Sequence, residues 1–352
     1  MAAPVSHRKK SVDTIKHRAN AFFVRQDFRT GTKSYLWHKS KRMDEQHPEY
    51  QQTSTPETPA YRPPELRARL VLAVQVLLCI LCAGAFQMIA LAAGLDAAQS
   101  LNAESPEPLR WLARLELGLG HFLVFTVSGF ITVWLFYRNL TGTGPGWPDY
   151  LRMRRLPAWD VAFLALLLMM ASIPMVLFAL NINELIPLPE SLRANDAQME
   201  ATLGGLLTMD HWGELAVNLA IIALLPAIGE EIVFRGVVQQ QLMRRIANPW
   251  VALVISAAVF SFFHMQFEGF LPRLLLGVLL GWLYWRTQNF WVPALAHFFN
   301  NAFQVVGQYL YGKEISAVDL EKDIEVPWFA AAISAFMVLV IMRLITNALK
   351  KE

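Results

Sequence analysis

The chain has 352 residues, of which 55% are hydrophobic and only 17% are charged. A soluble domain usually carries about 25% charged residues, so this composition argues against a soluble globular protein and a disordered chain. With only two cysteines, a disulfide scaffold is excluded as well. The excess of apolar residues has to face lipid, which predicts a membrane protein.

The N-terminal part of the chain is basic. Residues 1–69 hold 14 Lys and Arg against 7 Asp and Glu, so this part carries +7 and the remainder −4. Basic and apolar residues interleave over residues 8–29, which could form a helix on an anionic membrane surface; the alternative is a solvated basic tail that only sets orientation. Five prolines indicate a linker at 43–64. We therefore predict that residues 1–69 form a basic cytoplasmic tail and a proline-rich linker, without a nucleic-acid partner, because no such motif is present.

Eight apolar segments are candidates for membrane-spanning helices, since a bilayer core requires about 20 apolar residues in a helix. They lie at residues 70–95, 117–137, 161–183, 215–231, from 250 onward, 273–286, 290–310 and 326–342. The predicted fold class is therefore all-α: a polytopic membrane helix bundle of about eight transmembrane helices over residues 70–346.

The loops between these segments alternate in charge. Residues 138–160 contain four bases and two acids, whereas residues 184–214 contain six acids and one base. By the positive-inside rule, every basic loop falls on the side of the N terminus. We therefore expect a multi-pass protein of the cell membrane with cytoplasmic N and C termini.

Ionisable residues interrupt three of the C-terminal spans, where a charged side chain is costly and indicates function by default. The segments read GEEIVFRG at 229–236, FSFFH at 260–264 and HFFNN at 297–301. Helical spacing brings Glu231 within reach of Arg235 and points Glu230 about 100° away. The same spacing puts His297 and Asn301 on one face of their helix.

Counting residues along the helices predicts that these groups converge in depth. Glu230 and His264 are each roughly 24–27 Å from the turn at 248–249, so they are level in an antiparallel helix pair. His297 falls within about one helical turn of His264 in depth. Three helices would thus bring two Glu, two His and an Asn to one layer.

Such a layer is suited to amide hydrolysis by either of two schemes. In the first, a carboxylate and an imidazole deprotonate water, while a second His and an Asn donate to the oxyanion. In the second, Glu230, His264 and His297 hold a zinc ion that activates the water. The alternatives are packing by satisfied buried groups and a transporter with a proton relay, for which the sequence offers no inverted repeat.

The three motifs also resemble a known family. Their order and spacing, Glu230-Glu231-x-x-x-Arg235, Phe260-x-x-x-His264 and His297-x-x-x-Asn301, are similar to the signature of the CPBP intramembrane proteases, which include the type II CAAX prenyl endopeptidases and the bacterial Abi proteins. The resemblance covers residues 213–311, and it implies that this segment is the catalytic core of an eight-helix bundle.

The resemblance also implies roles for the individual residues. Glu230 with His264 would activate water, Glu231 would orient the site through Arg235, and His297 with Asn301 would serve the oxyanion. The family has been called metalloprotease, so the implied cofactor is one divalent metal such as zinc, but a metal-free glutamate mechanism fits the same residues.

We therefore predict an intramembrane endopeptidase that cleaves a membrane-associated protein or peptide. The alternative is a catalytically silent CPBP-like scaffold that regulates a partner membrane protein. The depth of the layer places it nearer the extracytoplasmic face, open toward residues 265–272 and 184–214. A CAAX-type substrate would instead arrive from the cytoplasm, so this placement argues mildly against that activity.

Overall fold

The computed structural model describes residues 23–26, 33–36, 65–138, 146–315 and 325–351. The chain divides into two units, Met1–Arg62 and Pro63–Glu352. In the first unit, strands β1 (Phe23–Gln26) and β2 (Lys33–Leu36) pair antiparallel. The helix predicted for residues 8–29 is therefore wrong at 23–26, where aromatic and β-branched residues favour a strand. Residues 8–22 and the predicted linker lie outside the described residues.

Every described element of the second unit is helical, which confirms the all-α class of the bundle. The helices are α1 (Glu65–Ala93), α2 (Ala97–Ser100), α3 (Glu107–Tyr137), α4 (Trp147–Tyr150), α5 (Trp159–Glu184), α6 (Glu190–Leu207), α7 (Trp212–Arg245), α8 (Pro249–Phe262), α9 (Phe270–Thr287), α10 (Trp291–Ile315) and α11 (Trp328–Ala348).

Five of these helices, α1, α3, α5, α7 and α11, are long and apolar enough to cross a membrane. The other predicted spans correspond to α8, which has 14 residues, and to α9 and α10, which have 18 and 25. A helix therefore lies at each of the eight predicted positions, while the crossing of the bilayer by all eight stays a prediction.

α3 and α7 are two of the four long helices that begin earlier than the sequence predicts. α3 starts at Glu107 rather than at residue 117, and α7 starts at Trp212 rather than near 215. Arg114 and Glu214 form an ion pair between the two helices, with 2.5 Å between Nη1 and Oε1. Because these charges neutralise each other, they are buried inside the helices instead of ending them.

The main core joins α5 to α9, α10 and α11 and includes Leu168, Leu283 and Val338. The predicted kink residue Pro174 lies inside α5. Next to it, the hydroxyl of Ser334 in α11 donates to the Ala171 carbonyl at 2.5 Å and accepts from the Met175 N–H at 3.2 Å. A side chain of the neighbouring helix thus satisfies the backbone groups near the proline, as the membrane interior requires.

π-Helical turns interrupt both α3 and α7, at Phe122–Val127, Leu219–Leu224 and Glu231–Gln239. Such turns are frequent at functional sites. The two helices also approach each other closely, since a Cβ on Gly229 would lie only 2.5 Å from Thr126 Oγ1. A glycine at this position lets α3 reach the part of α7 that carries the paired glutamates.

Candidate active site

Glu231, which is fully buried in α7, and its partner Arg235 connect this helix to α8, α9 and α10. Its Oε1 lies 3.0 Å from Arg235 Nη1 and accepts a hydrogen bond from His297 Nδ1 at 2.9 Å. Arg235 also donates to the Gly277 carbonyl of α9 at 3.3 Å, and its guanidinium carbon lies 4.7 Å from the Phe260 ring centroid of α8. The i,i+4 ion pair therefore fixes the imidazole of α10, with its proton on Nδ1 and a lone pair on Nε2 in the neutral ring.

Glu230 points away from this pair, toward α3. Its Oε1 accepts a hydrogen bond from His121 Nε2 at 2.9 Å, and the ring centroids of His121 and Phe125 are 4.6 Å apart. Its Oε2 lies 3.9 Å from His297 Nε2 and is buried without a hydrogen-bond partner among the described residues. One carboxylate oxygen is thus held in place, and the other is an available acceptor.

His264 lies just beyond Phe263, the residue that caps α8, and is half-buried. Its Nδ1 donates to the Phe260 carbonyl at 3.0 Å, and the two rings meet edge-on with 5.0 Å between centroids. Within the described parts of the chain, neither a hydrogen bond nor an ion pair joins His264 to Glu230.

Asn301 lies one helical turn after His297 on α10. Its Nδ2 donates to the carbonyl of Ile222 at 3.1 Å, in a π-helical turn of α7, and its Oδ1 accepts from Asn300 at 3.2 Å. A carboxamide nitrogen carries two hydrogens, so one donor remains after the bond to Ile222.

The structure therefore brings four of the six predicted residues into direct contact, namely Glu230, Glu231, Arg235 and His297. His264 joins them through Phe260, whose ring centroid is 6.0 Å from that of His297. Asn301 contacts the backbone of α7 instead of a member of the group.

His121 is the site residue that the sequence argument missed. It is an ionisable residue inside the predicted second span, and such a position by itself indicates a functional residue. No spacing rule links it to Glu230, however, because the two are 109 residues apart on different helices.

The zinc scheme required Glu230, His264 and His297 to surround one ion. In the part of the chain that the structure describes, no three His, Cys, Asp or Glu side chains are arranged so that they could hold a metal. As placed in this structure, Glu230, His264 and His297 do not form a tetrahedral zinc site.

Residues 212–303 match the family model described as "Type II CAAX prenyl endopeptidase Rce1-like". The predicted resemblance is confirmed. This Rce1-like segment runs from the start of α7 into α10 and carries all six predicted site residues, whereas His121 lies outside it. The family and the five long apolar helices support a membrane location.

Two curated relatives are similar to the same part of the chain. "Putative membrane peptidase YdiL" of Bacillus subtilis is 35% identical over 95 residues, which is 26% of this chain and 38% of the relative. "UPF0177 protein YxdF" of Lactococcus lactis is 31% identical over 84 residues, which is 24% of this chain and 45% of the relative. The matches thus span less than half of each relative. No solved structure has a significant match to the chain.

Proposed function

We propose that the protein is an intramembrane endopeptidase that hydrolyses a peptide bond of a membrane-associated protein or peptide, with Glu230 as the general base. The buried carboxylate of Glu230 carries this proposal, because His121 holds one oxygen while the other is unpaired beside His297. The Rce1-like segment around it and the similarity to a membrane peptidase support the reaction class.

In the proposed reaction, Glu230 Oε2 takes a proton from a water molecule whose oxygen attacks the peptide carbonyl carbon. As the C–N bond breaks, the protonated side chain of Glu230 returns the proton to the nitrogen, which leaves as an amine. His264 acts beside Glu230, since its Nδ1 proton is engaged by the Phe260 carbonyl and its Nε2 is left as a proton acceptor. A water-poor surrounding strengthens each of these electrostatic contacts.

The oxyanion needs N–H donors, and Asn301 supplies the better-defined one. Its second Nδ2 hydrogen is not used by Ile222. His297 can donate only when Nε2 is protonated, because Nδ1 already donates to Glu231. Glu231 and Arg235 act by orienting that imidazole.

We further propose the metal-free route, because the three candidate zinc ligands are not gathered around one point. Treatment with a zinc chelator is expected to leave the hydrolysis rate unchanged. If chelation abolishes the activity and added zinc restores it, the result would favour the zinc scheme instead.

The family description makes a C-terminal CAAX peptide the first substrate to test. The wild-type protein, reconstituted in liposomes, would receive a quenched fluorescent peptide with a farnesylated cysteine, and in parallel the same peptide without lipid. We expect Glu230→Gln and His264→Ala to lower the rate by about 10²- to 10⁴-fold. The matched control is Glu104→Gln, which changes an exposed carboxylate in the same way.

Undiminished hydrolysis by folded Glu230→Gln protein would overturn the proposed base. The scaffold alternative has a separate test, in which variants are returned to cells that lack the gene. Full rescue of the phenotype by both Glu230→Gln and His264→Ala would favour a scaffold that regulates a partner membrane protein.

The proposed topology keeps both termini in the cytoplasm, with the basic tail binding the anionic inner leaflet. Membrane-impermeant thiol reagents should then label a cysteine introduced at residues 184–214 from outside intact cells, but not one at residues 1–60. The opposite labelling would reverse the orientation. A synthetic 8–29 peptide should bind anionic vesicles, and added salt should weaken this binding. Binding that salt does not weaken would contradict an electrostatic attachment of the tail to the membrane.

A further inference from the structure

The loop that carries His264 is bound by a side chain from outside the Rce1-like segment. Asp196, in the middle of α6, is only 3% exposed. Its Oδ2 accepts the backbone N–H groups of Phe267 at 2.8 Å and of Glu268 at 2.7 Å. A buried carboxylate that receives two backbone donors makes strong, charge-assisted hydrogen bonds.

Two asparagines bind the same loop from neighbouring positions. Asn183, 2% exposed near the end of α5, donates to the Phe267 carbonyl at 2.8 Å and accepts the Leu271 N–H at 2.7 Å. Asn195 donates to the Met265 carbonyl at 2.7 Å. Together with Asp196, they make five hydrogen bonds to the backbone between Met265 and Leu271. We call residues 263–269, between α8 and α9, the His264 loop.

The His264 loop contains an unfavourable backbone conformation that needs such support. Met265, directly after the histidine, has φ of 54°, a left-handed conformation that is uncommon for residues other than glycine. Strained conformations of this kind persist when the surrounding structure imposes them, and they cluster at active sites. Here the imposed turn ends α8 and lets the His264 ring pack back on Phe260.

α6 has its own attachment, which is independent of the His264 loop. Gln198 donates to the Gln99 carbonyl at 3.0 Å, and the Thr202 hydroxyl lies 3.2 Å from the Ala98 carbonyl. Because α2 anchors the helix, Asp196 presents its carboxylate to the loop from a fixed support.

We propose that Asp196, assisted by Asn183, is a positioning residue for His264, and that α6 holds the imidazole at the reaction centre. This proposal rests on the proposed function for its effect on rate. Asp196 acts through the loop backbone, so its loss should displace His264 while leaving the glutamate and histidine contacts of α7 and α10 intact.

The test compares Asp196→Ala with the conservative Asp196→Asn, which keeps a carbonyl acceptor. With the farnesylated CAAX peptide, Asp196→Ala should lower kcat roughly 10- to 100-fold with KM nearly unchanged, because small displacements of a reacting group are costly. Asp196→Asn should recover most of this loss. The matched control is Glu200→Ala, which removes an exposed carboxylate of the same helix and should leave kcat unchanged.

Hydrogen exchange provides a readout that does not depend on activity. Backbone amides of the His264 loop should exchange faster in Asp196→Ala, while those of α8 and α9 keep their protection. Faster exchange throughout α8 and α9 would indicate a general loss of structure and overturn the positioning role, as would unchanged exchange in the loop.

A double variant separates this proposal from the proposed function. If Asp196 acts through His264, adding Asp196→Ala to His264→Ala should not lower the residual rate further. A multiplicative loss would overturn the proposal. If wild-type protein lacks hydrolysis while the exchange result holds, the proposed function fails and the ordering of the loop by Asp196 stands. Should Asp196→Ala fold poorly, Asn195→Ala, at an exposed residue, provides the same comparison with a smaller change.

Discussion

Two buried clusters of charged side chains lie between α3 and α7, and they differ in how completely their polar atoms are paired. In the first, the structural cluster, Arg114 donates to Glu214 at 2.5 Å, to Asn218 at 2.9 Å, and to two backbone carbonyls at 2.9 and 2.8 Å. Glu214 also accepts the N–H of Asp210 at 2.7 Å and pairs with Arg110.

The second, called the catalytic cluster after its proposed role, comprises His121, Glu230, Glu231, Arg235 and His297 and leaves buried acceptors unpaired. Glu230 Oε2, Glu231 Oε2 and His121 Nδ1 have no hydrogen-bond partner among the described residues, although all three atoms are inaccessible. Buried polar atoms are nearly always paired in native proteins, so each unpaired atom calls for an explanation. We infer that the fully hydrogen-bonded cluster holds the two helices together, whereas the partly hydrogen-bonded one keeps acceptors available for a reaction.

The strongest test of this comparison removes the centre of the structural cluster. Arg114→Ala should destabilise the protein by about 3–5 kcal/mol, because it leaves the carboxylate of Glu214 buried without its main partner. Thermal unfolding in detergent, followed by the loss of monodisperse protein, measures this effect. Arg193→Ala, at an exposed position of α6, is the control and should unfold at the wild-type temperature.

The matching change in the catalytic cluster should separate stability from activity. Glu230→Gln removes a buried charge that is only half paired, so the free energy of unfolding should change by no more than about 1 kcal/mol while hydrolysis is lost. Similar thermal destabilisation by Arg114→Ala and Glu230→Gln would show that both clusters are structural, and the contrast between them would fail.

His121 should have an intermediate effect. Its hydrogen bond orients the Glu230 carboxylate, so His121→Ala should lower kcat by roughly 10- to 100-fold with little change in KM. His121→Asn, which keeps a donor, should retain more activity than the alanine variant. The control is His211→Ala, since His211 is exposed and forms its ion pair with Glu107 at 3.3 Å away from the catalytic cluster. Equal rates for His121→Ala and His211→Ala would remove His121 from the site.

The sequence was most informative where functional residues follow helical spacing. Glu231 and Arg235 are four residues apart and form the predicted ion pair, and Phe260 packs on His264 one turn later as predicted. Residue counting also predicted that α7, α8 and α10 bring their polar groups together. These relations depend only on the rise and periodicity of a helix, so no tertiary information is needed.

The sequence was least informative where a contact joins distant helices. The sequence predicts that the second span begins after the charge of Glu116, whereas α3 runs through this residue and through Arg114, whose partner Glu214 lies 100 residues away. The acidic segment 184–214 predicted only topology, although it contains α6 and the carboxylate of Asp196. The contact between His121 and Glu230 likewise follows from the packing of α3 on α7.

The smallest expected effect concerns that packing. A Cβ on Gly229 would lie 2.5 Å from Thr126 Oγ1, and 3.2 Å from both Phe125 Cβ and the Thr126 backbone nitrogen. The backbone of α3 cannot rotate away as a side chain can, so Gly229→Ala should push the two helices apart. Overpacking of this kind costs about 1–3 kcal/mol. The displacement should also lengthen the contact between His121 and Glu230 and lower kcat less than His121→Ala does.

Gly204→Ala is the matched control for this substitution, since Gly204 lies in α6 and has no neighbouring atom within 4 Å of the added Cβ. Alanine is the better helix former, so this variant should be as stable as wild type or more stable by up to about 1 kcal/mol. Unfolding temperature and kcat, measured side by side for both variants, test the argument. In the contrary outcome, Gly229→Ala unfolds at the same temperature as Gly204→Ala and keeps full activity. Close approach of α3 would then not be what holds His121 against Glu230, and the catalytic cluster would tolerate a looser α3–α7 contact than the structural cluster does.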